Sequence, residues 1–254
     1  MDIITRKLGN FQELEVYPLA DLHWGDPKTD EKLFKLFLKH IMSANNRYLV
    51  VNGDMINNAI KTSVSNVYNE KYPPGEQKYM LIELLRPVAD RIICITPGNH
   101  EARSLKDVDL DITKDIAYGI GVEDRYRENG AYCNIQFGKD RHHHHLSYTG
   151  YITHGIGGGR SAGAPANILE KMPLMVEADF YIIAHVHKKL TFKNTYLKPN
   201  SIYSRLEQFE RAFMVSPPWQ DYGGYAQRKM YTPQSKGWIK LILNGKTKGM
   251  KIEI

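Results

Sequence analysis

Five short polar segments recur along the chain in one setting: each ends, or directly follows, a run of apolar residues. In order they are DLHWG (21–25), NGDMIN (52–57), PGNHE (97–101), THG (153–155) and AHVH (184–187). Apolar runs of about four to eight residues bounded by turn residues read as buried strands. Polar groups at the carboxyl ends of such strands gather along one edge of an α/β sheet, where open sheets take their ligands. The chain is therefore constrained to a fold that brings Asp21, His23, Asp54, Asn99, His100, His154, His185 and His187 to a common edge.

Those residue types are metal donors. Imidazole and carboxylate together suit Mn, Fe, Zn, Co or Ni, and no thiolate is offered among them. The two oxygens of Asp54 allow it to bridge a pair of ions. Two ions about 3.5–4 Å apart clamp a phosphate and activate water against it. The set is close to complete for two divalent ions, with one histidine left for chemistry. Of the ten histidines, five lie in these segments, four form the run His142 to His145, and only His40 stands apart. Were the five ordinary strand-end residues, many convergent polar groups would be left buried and unpaired at high cost.

In these motifs the chain resembles the calcineurin-like metallophosphoesterase superfamily, whose pattern is D-x-H, G-D, G-N-H-[DE], a lone His, and G-H-x-H. Here it reads Asp21-Leu22-His23, Gly53-Asp54, Gly98-Asn99-His100-Glu101, His154, and Ala184-His185-Val186-His187. The resemblance implies that Asp21, His23 and His187 hold the first metal and Asn99, His154 and His185 the second, with Asp54 between them. It implies that His100 protonates the leaving oxygen or stabilises the transition state. It also implies a four-layer α/β/β/α sandwich with two mixed sheets. Two departures stand out. Alanine replaces the glycine that opens the last motif, a small change at Ala184. Asn57 and Asn58 stand where Ser/Thr protein phosphatases of the G-D-x-x-D-R type carry an aspartate that orients the catalytic histidine and an arginine that grips phosphate. That argues against a protein phosphatase and leaves Glu101 as the adjacent candidate to orient His100.

A chain of 254 residues can bury one large core, and one domain over residues 1–254 is expected. The opening MDIITRKLGNFQ lacks the apolar stretch of a signal peptide, and no apolar run is long enough to span a bilayer. The two cysteines are Cys94 and Cys133; Cys94 lies inside the apolar run RIICIT, which predicts a reduced buried thiol and a cytoplasmic protein. Net charge is +6, and its distribution is uneven: residues 188–254 hold 13 Lys or Arg against 4 Asp or Glu. A basic stretch beside a phosphoester site suits a polyanion, although a solvated lysine-rich surface has the same composition.

Segments LEVYPLAD, RYLVVNGD, RIICITPGNH and DFYIIAHVH read as strands, as do residues 131–137 and 146–153. Helical spacing runs from Asp30 to Ser43 and over residues 76–86, with Pro87 marking the end of the second. Alternating strands and helices predict a mixed sheet with helices outside. After residue 188 the alternating segments TFKNTYL, SIYSRLEQF, GWIKLILNG and MKIEI suggest a second antiparallel group, with a long loop at about 215–230. Residues 61–75 are expected to be helical and to form one rim of the site, with the loop SPPWQDYGGY as another.

Several residues have two readings. The loop GIGGGRSAGA after His154 offers Gly157 and Gly158, whose amides can approach phosphate, and Arg160, which can grip it; a plain turning loop has the same glycines. Arg103 either points at phosphate or forms a surface ion pair. Trp24 either walls the site or packs in the core. The run His142 to His145 is expected in a solvated hairpin loop. Tyr203, Arg205, Arg211, Trp219, Tyr222, Tyr225, Arg228, Lys229 and Tyr231 mix aromatic with basic groups, as single-strand binders do and as loops packed on sheets also do. Together these features predict a dinuclear phosphoester hydrolase, with manganese first among the metals. Its leading substrate is DNA or RNA cleaved as a phosphodiester. A small-molecule phosphodiesterase or phosphomonoesterase acting on nucleotides is the runner-up, and a non-catalytic nucleic-acid or protein-binding scaffold is a third reading.

Overall fold

A computed structural model of the chain describes residues 2–63, 66–157, 161–223, 227 and 230–254. Its elements in chain order are β1 (Ile3–Lys7), β2 (Glu13–Leu19), α1 (Glu31–Met42), β3 (Arg47–Asn52), α2 (Pro74–Leu85), β4 (Ile92–Thr96), α3 (Asn99–Val108) and α4 (Ile112–Gly119). There follow β5 (Ala131–Phe137), β6 (Leu146–Ile152), α5 (Gly163–Lys171), β7 (Phe180–Ile183), β8 (Leu190–Asn200), β9 (Arg205–Val215), β10 (Lys240–Asn244) and β11 (Met250–Glu253).

These strands form two mixed sheets. One has five strands in the order β11-β10-β2-β3-β4; the other has six in the order β1-β5-β6-β7-β9-β8. Five strands carry the motifs: the parallel ladders β2–β3 and β3–β4 send three of their ends the same way in one sheet, and β6–β7 sends two the same way in the other. Between the sheets lies a core of Val16, Val50, Ile93, Cys94 and Leu241 against Cys133, Ile135, Phe180, Ile182 and Met214. Helices α1, α2 and α4 cover the outer face of the five-stranded sheet through Phe34, Phe37, Leu81 and Ile116. Helix α5 covers the six-stranded sheet through Leu169, against Tyr181, Phe213 and Val215. The result is four layers, α/β/β/α. Alternate residues of β2 serve different cores, Val16 the inner one and Tyr17 the helix-covered one, as a two-residue side-chain period requires.

The segment after residue 188 does not build a sheet of its own. Strands β8 and β9 extend the six-stranded sheet, while β10 and β11 extend the five-stranded one. Alternation shows that a segment is strand; which sheet it joins depends on long-range pairing. Among the described residues the helix expected over 61–75 does not form before Pro74. Among its described residues a single 3-10 turn forms at Val67–Asn69, and the helix starts at Pro74. Proline suits the first helical turn and pushes the residue before it, here Pro73, out of the helical region.

Trp24 is core, fully buried 6.0 Å from the Phe34 ring. So is Trp219, which the loop after β9 inserts between Phe34, Phe37 and Trp238 at ring separations of 5.7, 5.1 and 6.5 Å. Trp219 is thus unavailable for stacking on a nucleic-acid base. Trp219→Ala is expected to destabilise the protein by about 3–5 kcal/mol, measured by denaturant unfolding; a loss under 1 kcal/mol would contradict this packing. The run His142 to His145 lies in the β5–β6 hairpin turn and is solvent-exposed, as expected.

Candidate metal centre

All five motifs arrive at one place. Asp21 and His23 follow β2, Asp54 follows β3, Asn99 and His100 open α3 just after β4, His154 follows β6, and His185 and His187 follow β7. Among the described residues three groups can each hold an ion, with donor atoms within 4.8 Å of one another: Asp21, His23 and His187; His23, Asp54 and His100; and Asp54, His154 and His185. The groups overlap, so they form one centre. Asn99 joins it through its Oδ1, 2.7 Å from His185 Nδ1 and 3.2 Å from His154 Nε2.

The backbone is bent to make this meeting possible. Asp21, His23, Asp54, His185 and His187 all have φ between 49 and 70°. Left-handed backbone is uncommon outside glycine, costs free energy, and concentrates at functional sites. Each such residue turns its strand end inward over the centre. Close approach does the rest. A Cβ on Gly53 would strike the Gly98 backbone and the His154 ring, and one on Gly98 would strike the Asp54 carboxylate. Ala184 is not among the positive-φ residues, so the alanine that departs from the family pattern carries no strain.

Hydrogen bonds orient the donors. His154 Nδ1–H donates to the Asn52 carbonyl at 2.7 Å, which turns Nε2 to within 3.2 Å of Asp54 Oδ2. The same Asp54 oxygen lies 3.9 Å from His23 Nε2 and 4.0 Å from His100 Nε2. The His185 backbone N–H donates to Asp21 at 3.0 Å, linking the two strand ends that supply the first and last motifs. His23 Nε2 and His187 Nε2 are 3.1 Å apart. Imidazole nitrogens crowded this way are suited to sharing a cation.

His100 is oriented by a group no motif announced. Its Nδ1–H donates to the main-chain carbonyl of Asn57 at 2.7 Å. Glu101, the expected orienter, faces away and accepts from four backbone amides instead, those of Asp54, Met55, Ile56 and Gly98. Asn57 and Asn58 are structural. The Asn57 side chain donates to Glu70 at 2.6 Å, and that of Asn58 donates to the His100 carbonyl at 2.6 Å and to Ser104 at 3.0 Å. Gln77 closes the arrangement, donating to Glu70 and accepting from the Asn58 N–H. Asn57 sat in view in the motif, but only the turn of its loop decides that its carbonyl meets His100.

Of the remaining candidates, Arg103 is partly buried, with Nη1 3.3 Å from the Asn57 carbonyl and 3.4 Å from that of Asn58. It has no carboxylate partner among the described residues, so the surface ion pair is not formed. The Gly157 backbone hydrogen-bonds the His185 ring, while Gly158 and Arg160 lie outside the described residues.

Buried charges act strongly on one another here. Burial pushes the Asp21 carboxyl up, and with the Asp54 charge outweighs the opposing pull of His154, to about 8. Burial likewise favours protonated Asp54, but His100, His154 and His23 outweigh it and hold Asp54 well below the usual carboxylate range. For His154 burial works against the charged ring, yet Asp54 and then Asp21 raise it to about 10. Burial lowers His23, His100 and His187, the last to about 4. At pH 7 the metal-free centre therefore carries protons on Asp21 and His154 that ligation must remove. Metal uptake is expected to release about one to two protons per chain. Affinity should rise with pH through 7 to 8 as Asp21 deprotonates, and further toward 10 as His154 does. Calorimetry in buffers of different ionisation enthalpy measures this; proton uptake, or pH-independent affinity, would contradict it.

Nitrogen and oxygen donors from five strand ends, most of them buried and with no thiolate among them, fit a pair of borderline or hard divalent ions. A family model described as calcineurin-like phosphoesterase matches residues 16–159, more than half of the chain, and the chain belongs to that family. It is a metal-dependent phosphoesterase, a hydrolase of phosphoester bonds. No curated protein matches the chain. Similar solved structures include Vacuolar Protein Sorting 29 from Cryptosporidium parvum, at 12% identity over 95% of this chain and 97% of that one, TM-score 0.46. A predicted phosphoesterase from Streptococcus pneumoniae TIGR4 has 10% identity over 94% and 88%, TM-score 0.40. GAP50 of Plasmodium, an anchor in the inner membrane complex, has 13% identity over 94% and 83%, TM-score 0.42. At these identities and TM-scores the likenesses say nothing about activity. Among the described residues no helix is long and apolar enough to cross a membrane.

Proposed function

We propose that the protein hydrolyses phosphodiesters, with nucleic acid as the substrate and manganese as the metal. Asp21, His23 and His187 hold one ion, Asn99, His154 and His185 the other, and Asp54 stands between them. The observation that carries this is the meeting of all eight motif side chains at one set of strand ends, five of them in left-handed backbone. Bound ions supply Lewis-acid charge and activate water. His100, its Nδ1–H committed to the Asn57 carbonyl, keeps Nε2 for the leaving oxygen; to act as the acid the ring takes a second proton from solvent onto Nε2, passes it to that oxygen and returns to the neutral Nδ1–H form, an assignment that follows from the hydrogen-bond network. Arg103 is the guanidinium available to a nonbridging oxygen; Gly157, whose backbone meets the His185 ring, is a further candidate contact, and Gly158 and Arg160 are candidates from the sequence alone. A diester carries one charge at phosphorus where a monoester carries two. The replacement of a phosphate-gripping arginine by Asn58 favours the less charged substrate.

Nucleic acid is supported by the basic surplus after residue 188, beginning with Lys188 and Lys189 beside His187. A second reading, a small-molecule phosphodiesterase, is favoured by how many of those cations are already paired: Lys193 with Glu210, Arg211 with Glu177, Lys236 with Asp30 and Asp221, and Lys240 with Glu15 and Glu253. The buried free thiols Cys94 and Cys133 support a reducing cytoplasm. The test is a panel under Mn of single- and double-stranded DNA, RNA, cyclic nucleotides, bis-p-nitrophenyl phosphate and monoesters. Salt-sensitive cleavage of a polynucleotide supports the first reading. Turnover confined to cyclic nucleotides or other small diesters supports the second. No turnover of any substrate by metal-loaded protein would overturn both.

A further inference from the structure

Glu101 stands beside the centre without belonging to its ligand set. Its side chain is buried, 2% exposed. Oε2 accepts from the Gly98 N–H at 2.9 Å and the Asp54 N–H at 3.0 Å, and Oε1 from Met55 at 2.7 Å and Ile56 at 3.1 Å. These amides belong to two separate pieces of chain. Gly98 caps the start of α3, which presents Asn99 and His100; residues 54–56 form the loop after β3, which presents Asp54. One carboxylate therefore staples the two pieces together. The staple is returned from the other side, where the His100 N–H donates to Asp54 Oδ1 at 2.8 Å. Asp54 has φ 51°, and the following amides turn inward as a group. Without an anion they would be buried donors facing one another unpaired.

We propose that Glu101 is a positioning residue that sets the metal affinity of the centre by holding the left-handed Asp54 loop against the start of α3. This rests on the metal-centre reading above. A carboxylate alone suits the post: it offers two oxygens with about four acceptor sites and no donor, and charge-assisted bonds are the stronger kind. Glutamine is the same size but has one acceptor oxygen, and its NH2 would meet two amide donors.

The experiment is titration of Mn into wild-type protein, Glu101→Gln and Glu101→Asp by calorimetry, with folding checked by circular dichroism. Leu241→Ala, a cavity in β10 between the sheets, serves as a destabilised comparison. Folded Glu101→Gln is expected to bind Mn about 10–100-fold more weakly, the usual effect of losing a group that supports a ligand. Glu101→Asp, one methylene short, is expected to fall between, and decides the matter should the glutamine variant not fold. Leu241→Ala should melt earlier yet bind Mn as wild type does. Folded Glu101 variants that bind Mn within twofold of wild type would overturn the proposal. Wild type taking up no Mn would overturn the centre itself, and Glu101's role with it.

Discussion

His100→Ala is expected to lower kcat by about 10²–10⁴-fold, the usual worth of a positioned general acid, while metal content stays at the wild-type level. Two arrangements compete at this residue. His100 satisfies donor spacing with His23 and Asp54, and its Nδ1 lies 3.3 Å from His23 Nδ1, so a ligand role is geometrically open. Against it, Asp21 and His187 already surround His23, and the Asn57 carbonyl occupies the Nδ1–H of His100. A ligand role would remove metal along with activity. The decisive pair of measurements is metal per chain by elemental analysis and kcat on bis-p-nitrophenyl phosphate. Metal-replete His100→Ala at full rate would remove His100 from the chemistry, and metal-depleted His100→Ala would reassign it as a ligand.

Asp54→Asn is expected to abolish hydrolysis and weaken metal binding at both positions by more than about 10²-fold, beyond what loss of a supporting group produces. Asp54 Oδ2 faces His23, His100 and His154 together, and the residue belongs to two of the three donor groups. Asparagine keeps the shape but removes the charge and one acceptor, so a bridge fails while the loop still folds. His154 loses its leading source of attraction for a proton and should titrate lower in the metal-free variant. A Mn titration of Asp54→Asn that still shows two tight equivalents would exclude bridging. Loss of only one equivalent would make Asp54 a ligand of a single ion.

Much of this was legible in the chain because it is local. Each motif follows a strand whose apolar run is unmistakable, as RYLVV before Asp54 and FYII before His185 are. The departures at Asn57 and Asn58 announced that His100 would need another orienter without saying which. The answer depended on the torsion of one loop: the main-chain carbonyl of Asn57 meets His100, while adjacent Glu101 turns back to Gly98 and the Asp54 loop. The tail is a second case. Its alternation marks strands, but Ala212 pairs with Phe180 and Leu241 with Val16, assignments made by contacts more than thirty residues away. Trp219 is a third. Among basic and aromatic neighbours it reads as a stacking residue, yet apolar rings of α1 enclose it.

By itself the sequence determined the donor atoms, their order, and the strand ends that carry them, and hence the family and the class of chemistry. Donor identity is a property of side chains, and strand ends are marked by nearby hydrophobicity. Only the tertiary structure decided which amides Glu101 serves, which carbonyl holds His100, how the tail divides between two sheets, and that five donors sit in left-handed backbone. Those outcomes depend on torsions and on pairing between distant segments, which hydrophobic periodicity does not encode.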